Sequence, residues 1–182
     1  PKYKKRKENK KYDYSSSNKG IDRSNRTYLK YLEYKRTNPN IFTVQMDFLG
    51  SIKTDSKSIL ALEIPELQFV LIKLIENPTQ EKIVSLFNDI EKEIGLTNFY
   101  KVFPCILTDR DPAFTDYDGI ETSILGGDNI RTLIFYCDPY RSNQKAGVEN
   151  KNKQLRKFFI KGESVDHYTK NQIKVINQRI NQ

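Results

Sequence analysis

Histidine is almost missing from this sequence: His167 is the only one among 182 residues. A two-histidine zinc motif is therefore excluded, and a Ser-His-Asp or Cys-His enzyme would have to use His167 as its only base. Two cysteines, Cys105 and Cys137, are too few for a disulfide framework or a four-cysteine zinc site. None of the eight glycines falls into the GxxxxGKS/T or GxGxxG pattern, which argues against phosphate-loop ATPases and dinucleotide-dependent dehydrogenases. No apolar run approaches the roughly 18 residues that a membrane span requires. No signal-peptide pattern opens the chain, so the expectation is an intracellular protein with no membrane partner. What remains for chemistry is the carboxylates.

Charge is plentiful and unevenly spread. The formal net charge is +8, with 37% hydrophobic, 12% aromatic and 30% charged residues. Residues 1–40 carry a local balance of +9, residues 41–140 one of −8, and residues 141–182 one of +7. A basic start, an acidic centre and a basic end suit polyanion-binding surfaces that flank a carboxylate site. For the first segment a Lys-rich solubilising tail is an equally good account. Its near absence of aliphatic residues predicts disorder under either reading, with a short helix allowed between Ile21 and Arg36. Asn38-Pro39-Asn40 then breaks the pattern, so the expected division is an arm or linker over 1–40 and a folded core over 41–182. The chain begins at Pro1, and the expectation is a fragment or a processed form.

From Ile41 the pattern turns to short apolar runs. Residues 41–48, 58–64 and 68–75 read as three strands in meander, 102–109 as a fourth and 131–137 as a fifth. A helix is expected after the third, with Asn77 as N-cap, Pro78 in the first turn, Gln80 completing a capping box and Gly95 ending it. Two further helices are expected, one over Asn143–Ile160 capped by Ser142 and one beginning near Thr169. This order predicts an α/β fold, a mixed sheet of five strands with helices on both faces.

Three carboxylates occupy unusual positions. Asp47 interrupts the apolar strand Val44–Phe48, where strand propensity and desolvation both disfavour it. An exposed strand end would explain it equally. Asp109 closes the fourth strand, where polar groups commonly face a functional crevice. Asp109-Arg110-Asp111-Pro112 is also good turn chemistry, and Asp111 competes for any catalytic role. Glu149 is placed two turns into the Asn143–Ile160 helix, with Lys145, Lys153 and Arg156 on the same face. A surface Glu149–Lys153 pair is the simpler explanation for that residue alone. If the three converged, like charges about 4 Å apart would repel by about 4 kcal/mol at an effective dielectric of 20. Such a cluster holds divalent cations, and an all-oxygen ligand set favours Mg2+ or Mn2+.

The segment Cys137–Phe159 resembles the third-carboxylate region of bacterial insertion-sequence transposases of the DDE type, above all the insertion-sequence-thirty group. The matching residues are Cys137, Asp138, Pro139, Tyr140, Gln144, Glu149 and Asn150, followed by Arg156, Lys157, Phe158 and Phe159. Met46-Asp47 resembles the first acidic position. Thr108-Asp109-Arg110-Asp111-Pro112-Ala113-Phe114 resembles the second, which assigns Asp109 rather than Asp111 to it. Arg110-Asp111 stands where the group has Asn-Gly, Ala113 replaces an acidic residue, and Asp109 and Glu149 are separated by an apparent insertion near Gly126-Gly127.

The resemblance implies a ribonuclease-H-like fold shared with retroviral integrase catalytic cores, and a two-metal transposase or integrase that cleaves and transfers DNA strands. Asp47 would bridge two Mg2+ or Mn2+ ions, with Asp109 and Glu149 each adding a ligand. Lys145, Asn150, Lys153 and Arg156 would contact DNA. The implied partners are transposon ends and target DNA, the implied assembly a homo-oligomer on that DNA, and the implied location the bacterial cytoplasm near the nucleoid. The alternatives are a decayed transposase fragment that binds DNA without cutting it, and a ribonuclease-H-type nuclease.

Overall fold

Alternating and continuous apolar runs between Val44 and Tyr136 build one five-stranded sheet in this computed structural model, which describes residues 22–49, 52–127, 129–145 and 149–182. The side chains of residues 142 and 149–152 are also outside the description. The strands are β1 (Val44–Leu49), β2 (Lys57–Ile64), β3 (Phe69–Glu76), β4 (Cys105–Thr108) and β5 (Leu133–Tyr136). Their spatial order is β3-β2-β1-β4-β5. The first three form an antiparallel meander, and β4 and β5 join parallel to β1. The meander, the mixed pairing and the five strands agree with the sequence expectation. The helices are α1 (Tyr28–Thr37), α2 (Gln80–Ile94), α3 (Leu96–Val102), α4 (Tyr117–Glu121), α5 (Glu149–Phe158) and α6 (Lys170–Ile180).

The two faces of the sheet bury different partners. On one face Val44, Met46, Leu60, Leu62, Ile106 and Ile134 pack against Ile83, Phe87 and Ile90 of α2 and Phe99 of α3. On the other, Leu49, Ile59, Ala61 and Ile72 meet Leu155 and Phe159 from α5 and its end, and Ile173, Ile176 and Ile180 of α6. Beside them on that second face, Cys105, Leu107, Phe135 and Cys137 meet Tyr28, Tyr31 and Tyr34 of α1. Each strand residue therefore has a fixed side, because successive side chains alternate across the sheet.

Local signals worked unevenly. Thr169 caps α6 in a full capping box with Gln172, and Gly95 ends α2 at φ +78°. The start of α2 needs correction: Thr79 is the N-cap and accepts from the Lys82 N–H, while Asn77 lies in the left-handed region at φ 47°. Pro78 therefore precedes the cap, and its fixed backbone helps the chain enter the helix without belonging to it. The fourth strand, expected from residue 102, begins at Cys105, and Val102 instead ends α3 (Leu96–Val102), which Gly95 starts and Phe99 packs against Phe87. The expected helix over 143–160 is also corrected. A 3-10 turn spans Ser142–Lys145, and α5 is described over Glu149–Phe158. Lys145 thus belongs to that turn rather than to the helix, and Glu149 is the first described residue of α5.

The expected short helix near residue 30 is α1, which lies on the sheet through its tyrosines. Thr27 forms a parallel bridge to Tyr136, and Arg26 pairs with Glu121 at 2.6 Å. Of the arm expected over residues 1–40, residues 22–40 are described and carry α1 on the sheet, and residues 1–21 lie outside the described residues.

Candidate active site

The parallel pairing of β1 with β4 decides where the carboxylates go. Met46 is the partner of Thr108, so Asp47 comes one residue later on β1 and Asp109 directly after the end of β4. Both therefore project from the second face of the sheet, opposite Met46. The Thr108 hydroxyl donates to the Met46 carbonyl at 2.9 Å and locks this register. Both carboxylates remain about half exposed, at 45% and 48% of the side chain. They can meet a ligand without unfolding anything.

A third side chain reaches them from a different part of the chain. After β5, the Asp138 N–H donates to Gln144 Oε1 at 2.7 Å, and the Gln144 amide donates back to Asp138 Oδ2 at 2.8 Å. This clamp closes a turn whose tip, Tyr140, has φ 61° and is 94% exposed. The Cys137 N–H continues the register by donating to the Thr108 carbonyl at 2.8 Å, and Arg110 Nε donates to the Cys137 carbonyl at 3.2 Å. The clamp delivers Lys145, whose Nζ lies 3.0 Å from Asp47 Oδ2 and 3.8 Å from Asp109 Oδ2. Nζ is shielded from solvent, yet among the described residues it has no acceptor with hydrogen-bond geometry. Charge holds it there.

Asp109 and Asp111 are oriented differently. Asp109 Oδ1 accepts the Asp111 N–H at 3.0 Å, which leaves Oδ2 facing Lys145. Asp111 Oδ1 accepts the Ala113 N–H at 2.9 Å and so caps the 3-10 turn Pro112–Phe114. Burial pushes the Asp109 carboxyl above its ordinary value; Lys145 opposes this, and the neighbouring Asp47 and Asp111 charges add to it. Asp111 is also raised, first by burial, with the Asp47 charge adding to it. Three acids this close raise the cost of one another's charge, and a cation lowers it.

The remaining expected site residues are spread along α5. Glu149 and Asn150 are its first two described residues, and their side chains lie outside the description. Lys153 and Arg156 are exposed on its surface. Among the described residues, no group of three His, Cys, Asp or Glu side chains forms a metal cage. The described part of the site is two carboxylates sharing one ammonium. That donor set fits a hard divalent cation, because both ligands are oxygen and a cation already stands between them.

Sequence reasoning did not foresee two features. The Asp138–Gln144 clamp uses residues quoted in the resemblance but given no role there. The second is a buried ion network around Arg131, which is fully buried and bonded to Glu91 and Asn88 and to the carbonyls of Gly119 and Ile120. Its signal was an Arg opening an apolar strand.

The strand order β3-β2-β1-β4-β5, with helices on both faces, is that of a ribonuclease-H-like fold. No protein-family model matches the chain. A curated protein, "Putative integrase ORF3" of Spiroplasma virus SpV1-R8A2 B, is 28% identical over 147 residues. That match takes in 78% of this chain and 42% of the relative, so the chain spans less than half of its length. A chain in the cryo-EM structure of the simian T-cell lymphotropic virus intasome in complex with PP2A regulatory subunit B56 gamma aligns at a TM-score of 0.50. Its identity is 16%, over 74% of this chain and 46% of that one. The catalytic core domain of BIV integrase aligns at a TM-score of 0.45 and 16% identity, over 74% of this chain and 80% of that one. No helix among the described residues is long and apolar enough to cross a membrane.

Proposed function

We propose that this chain is the catalytic core of an integrase or transposase, a polynucleotidyl transferase that cleaves a DNA strand and joins the cut end to a target. The observation that carries this reading is the convergence of Asp47 and Asp109 on one ammonium, at 3.0 and 3.8 Å, in an integrase-type fold. The likeness to a protein described as an integrase supports it. Asp47, Asp109 and Glu149 would hold two Mg2+ or Mn2+ ions, with Glu149 supplied from α5. When bound, the ions activate the attacking hydroxyl and neutralise the leaving oxygen.

The chain's own residues set the geometry for this chemistry. Thr108 fixes the strand register, and the Asp111 N–H holds one oxygen of Asp109 so that the other faces the site. Lys153 and Arg156, exposed on α5, bind DNA phosphates together with Lys145 and Asn150. Such contacts position DNA and weaken as salt rises. The partners are donor ends and target DNA, on which copies of the chain assemble. The proposed location is the bacterial cytoplasm, at the nucleoid.

Nicking of supercoiled plasmid tests the reading. Wild type should nick only with Mg2+ or Mn2+, and Glu149→Gln and Asp47→Asn should bind DNA but leave it intact. DNA binding by wild type without metal-dependent nicking would leave a DNA-binding remnant. Cleavage confined to RNA–DNA hybrids would leave a ribonuclease-H-type nuclease. Either result overturns the proposal.

A further inference from the structure

We infer that Lys145 is an internal competitor for the divalent cation, and that DNA removes the competition by drawing its ammonium onto a backbone phosphate. This inference rests on the proposed metal site and adds an order to its filling. The Lys145 ammonium lies against Asp47 Oδ2 and Asp109 Oδ2, at 3.0 and 3.8 Å, so it occupies the space that a cation shared by those oxygens would take. It cannot stay there beside a divalent ion, because two like charges would then crowd the same pair of ligands.

Two observations make Lys145 a displaceable occupant. Its Nζ is held by charge, without a directed hydrogen bond among the described residues, so leaving breaks no geometry. Its backbone is anchored by the Asp138–Gln144 clamp next to it, so departure needs only rotation of the four-carbon stem. Outside the site, a solvated lysine gains little. A phosphodiester beside the carboxylates offers the displaced ammonium a new anion at the point where the cation enters. Metal and DNA therefore each favour the other's binding, and by linkage the enhancement is the same in both directions. In the absence of DNA the protein keeps its acidic pair neutralised from within and takes up metal weakly.

Mn2+ affinity of the full chain, measured by calorimetry with and without a short DNA duplex, tests this. Without DNA, Lys145→Met and Lys145→Gln should bind Mn2+ about tenfold more tightly than wild type, whereas Lys145→Arg, which keeps the charge, should not. DNA should tighten Mn2+ binding to wild type by about the same factor and should have little effect on Lys145→Met. Asp47→Asn serves as the control for the site itself. If Asp47→Asn abolishes Mn2+ binding but both neutral Lys145 variants bind no more tightly than wild type, the competitor role is overturned and the metal site stands. If Asp47→Asn leaves Mn2+ binding unchanged, the metal site itself is overturned, and the competitor role with it. Agreement between the Met and Gln variants separates charge removal from a packing defect in either one.

Discussion

The carboxamide of Asn177 takes the place of a neighbouring strand for Ile72. Its Oδ1 accepts the Ile72 N–H at 2.8 Å, and its Nδ2 donates to the Ile72 carbonyl at 2.7 Å. One helical turn later, Asn181 does the same for Val70, at 2.9 and 2.7 Å. Two asparagines spaced i, i+4, one in α6 and one at its C-cap, thus pair the outer edge of β3, which would otherwise offer open backbone groups to another chain.

Asn177→Leu and Asn181→Leu should each cost ~1–2 kcal/mol, because a partly buried N–H and C=O lose their partners. The double variant should also associate with itself as concentration rises. Urea titration and sedimentation at two concentrations check both effects.

Glu121 should be expensive to remove. It accepts the Ile134 N–H at 2.9 Å and two bonds from Arg26, and its side chain is 5% exposed. Glu121→Ala leaves a strand N–H and a guanidinium without their acceptor, and a loss of ~3 kcal/mol is expected. Arg26 also lies over the Tyr117 ring at 3.7 Å, so Arg26→Ala should loosen α4 and the segment leading into α1 together. Proteolysis near Thr27 in the Arg26 variant reads this directly.

The Arg131 network gives a sharper contrast. Arg131 and Glu91 are both fully buried, 2.8 Å apart, and Glu91 also accepts from the Ser123 hydroxyl and the Ile124 N–H. Glu91→Ala should destabilise by ~3–5 kcal/mol, because it strands a buried cation. Glu91→Gln keeps an acceptor oxygen and should lose less. Thermal melts of the two variants rank them.

The raised Asp109 carboxyl makes the site pH-sensitive. The folded state holds this proton to higher pH than the unfolded chain, so ionising Asp109 costs stability as pH climbs from 3.8, the ordinary carboxyl value, through the folded one. Metal-free Asp109→Asn should therefore match or exceed wild type at neutral pH, and the two should converge below 3.8. The proton also competes with metal. Stabilisation of wild type by Mn2+ should fade on acidification at a pH above the ordinary carboxyl value, as melts across a pH series will show.

Much of this architecture was legible in the sequence, and the parts that were not share a cause. Strands announced themselves because Ile59 to Ile64 and Val70 to Ile75 bury side chains against helices. The α6 helix announced itself through Thr169, Gln172 and a row of isoleucines. Asp47 and Asp109 stood out because charge is costly at those strand positions. Lys145 did not stand out as a partner of Asp47. The mostly polar run from Asn143 to Gln154 reads as one helix, and only tertiary contacts reveal that a 3-10 turn precedes α5. The α3 helix was hidden for the same reason: Phe99 and Phe103 suit either a strand or a helix until α2 supplies the surface they pack on. Asn177 and Asn181 look like ordinary polar helix positions, and their role depends on an edge strand a hundred residues earlier.

The lock between Thr108 and Met46 separates distance along the chain from distance in space. Asp47 and Asp109 are set by the pairing of β1 and β4, and the return through Cys137 is set by its bond to the Thr108 carbonyl. Between these fixed points the chain makes a detour that closes on itself at the Thr122–Ile130 bridge and is anchored inward by Ser123 and Arg131. Residues can be gained or lost at the tip near Gly126 while the acidic pair stays put. The number of residues between the motifs therefore does not set where the acidic pair sits; the strand register does.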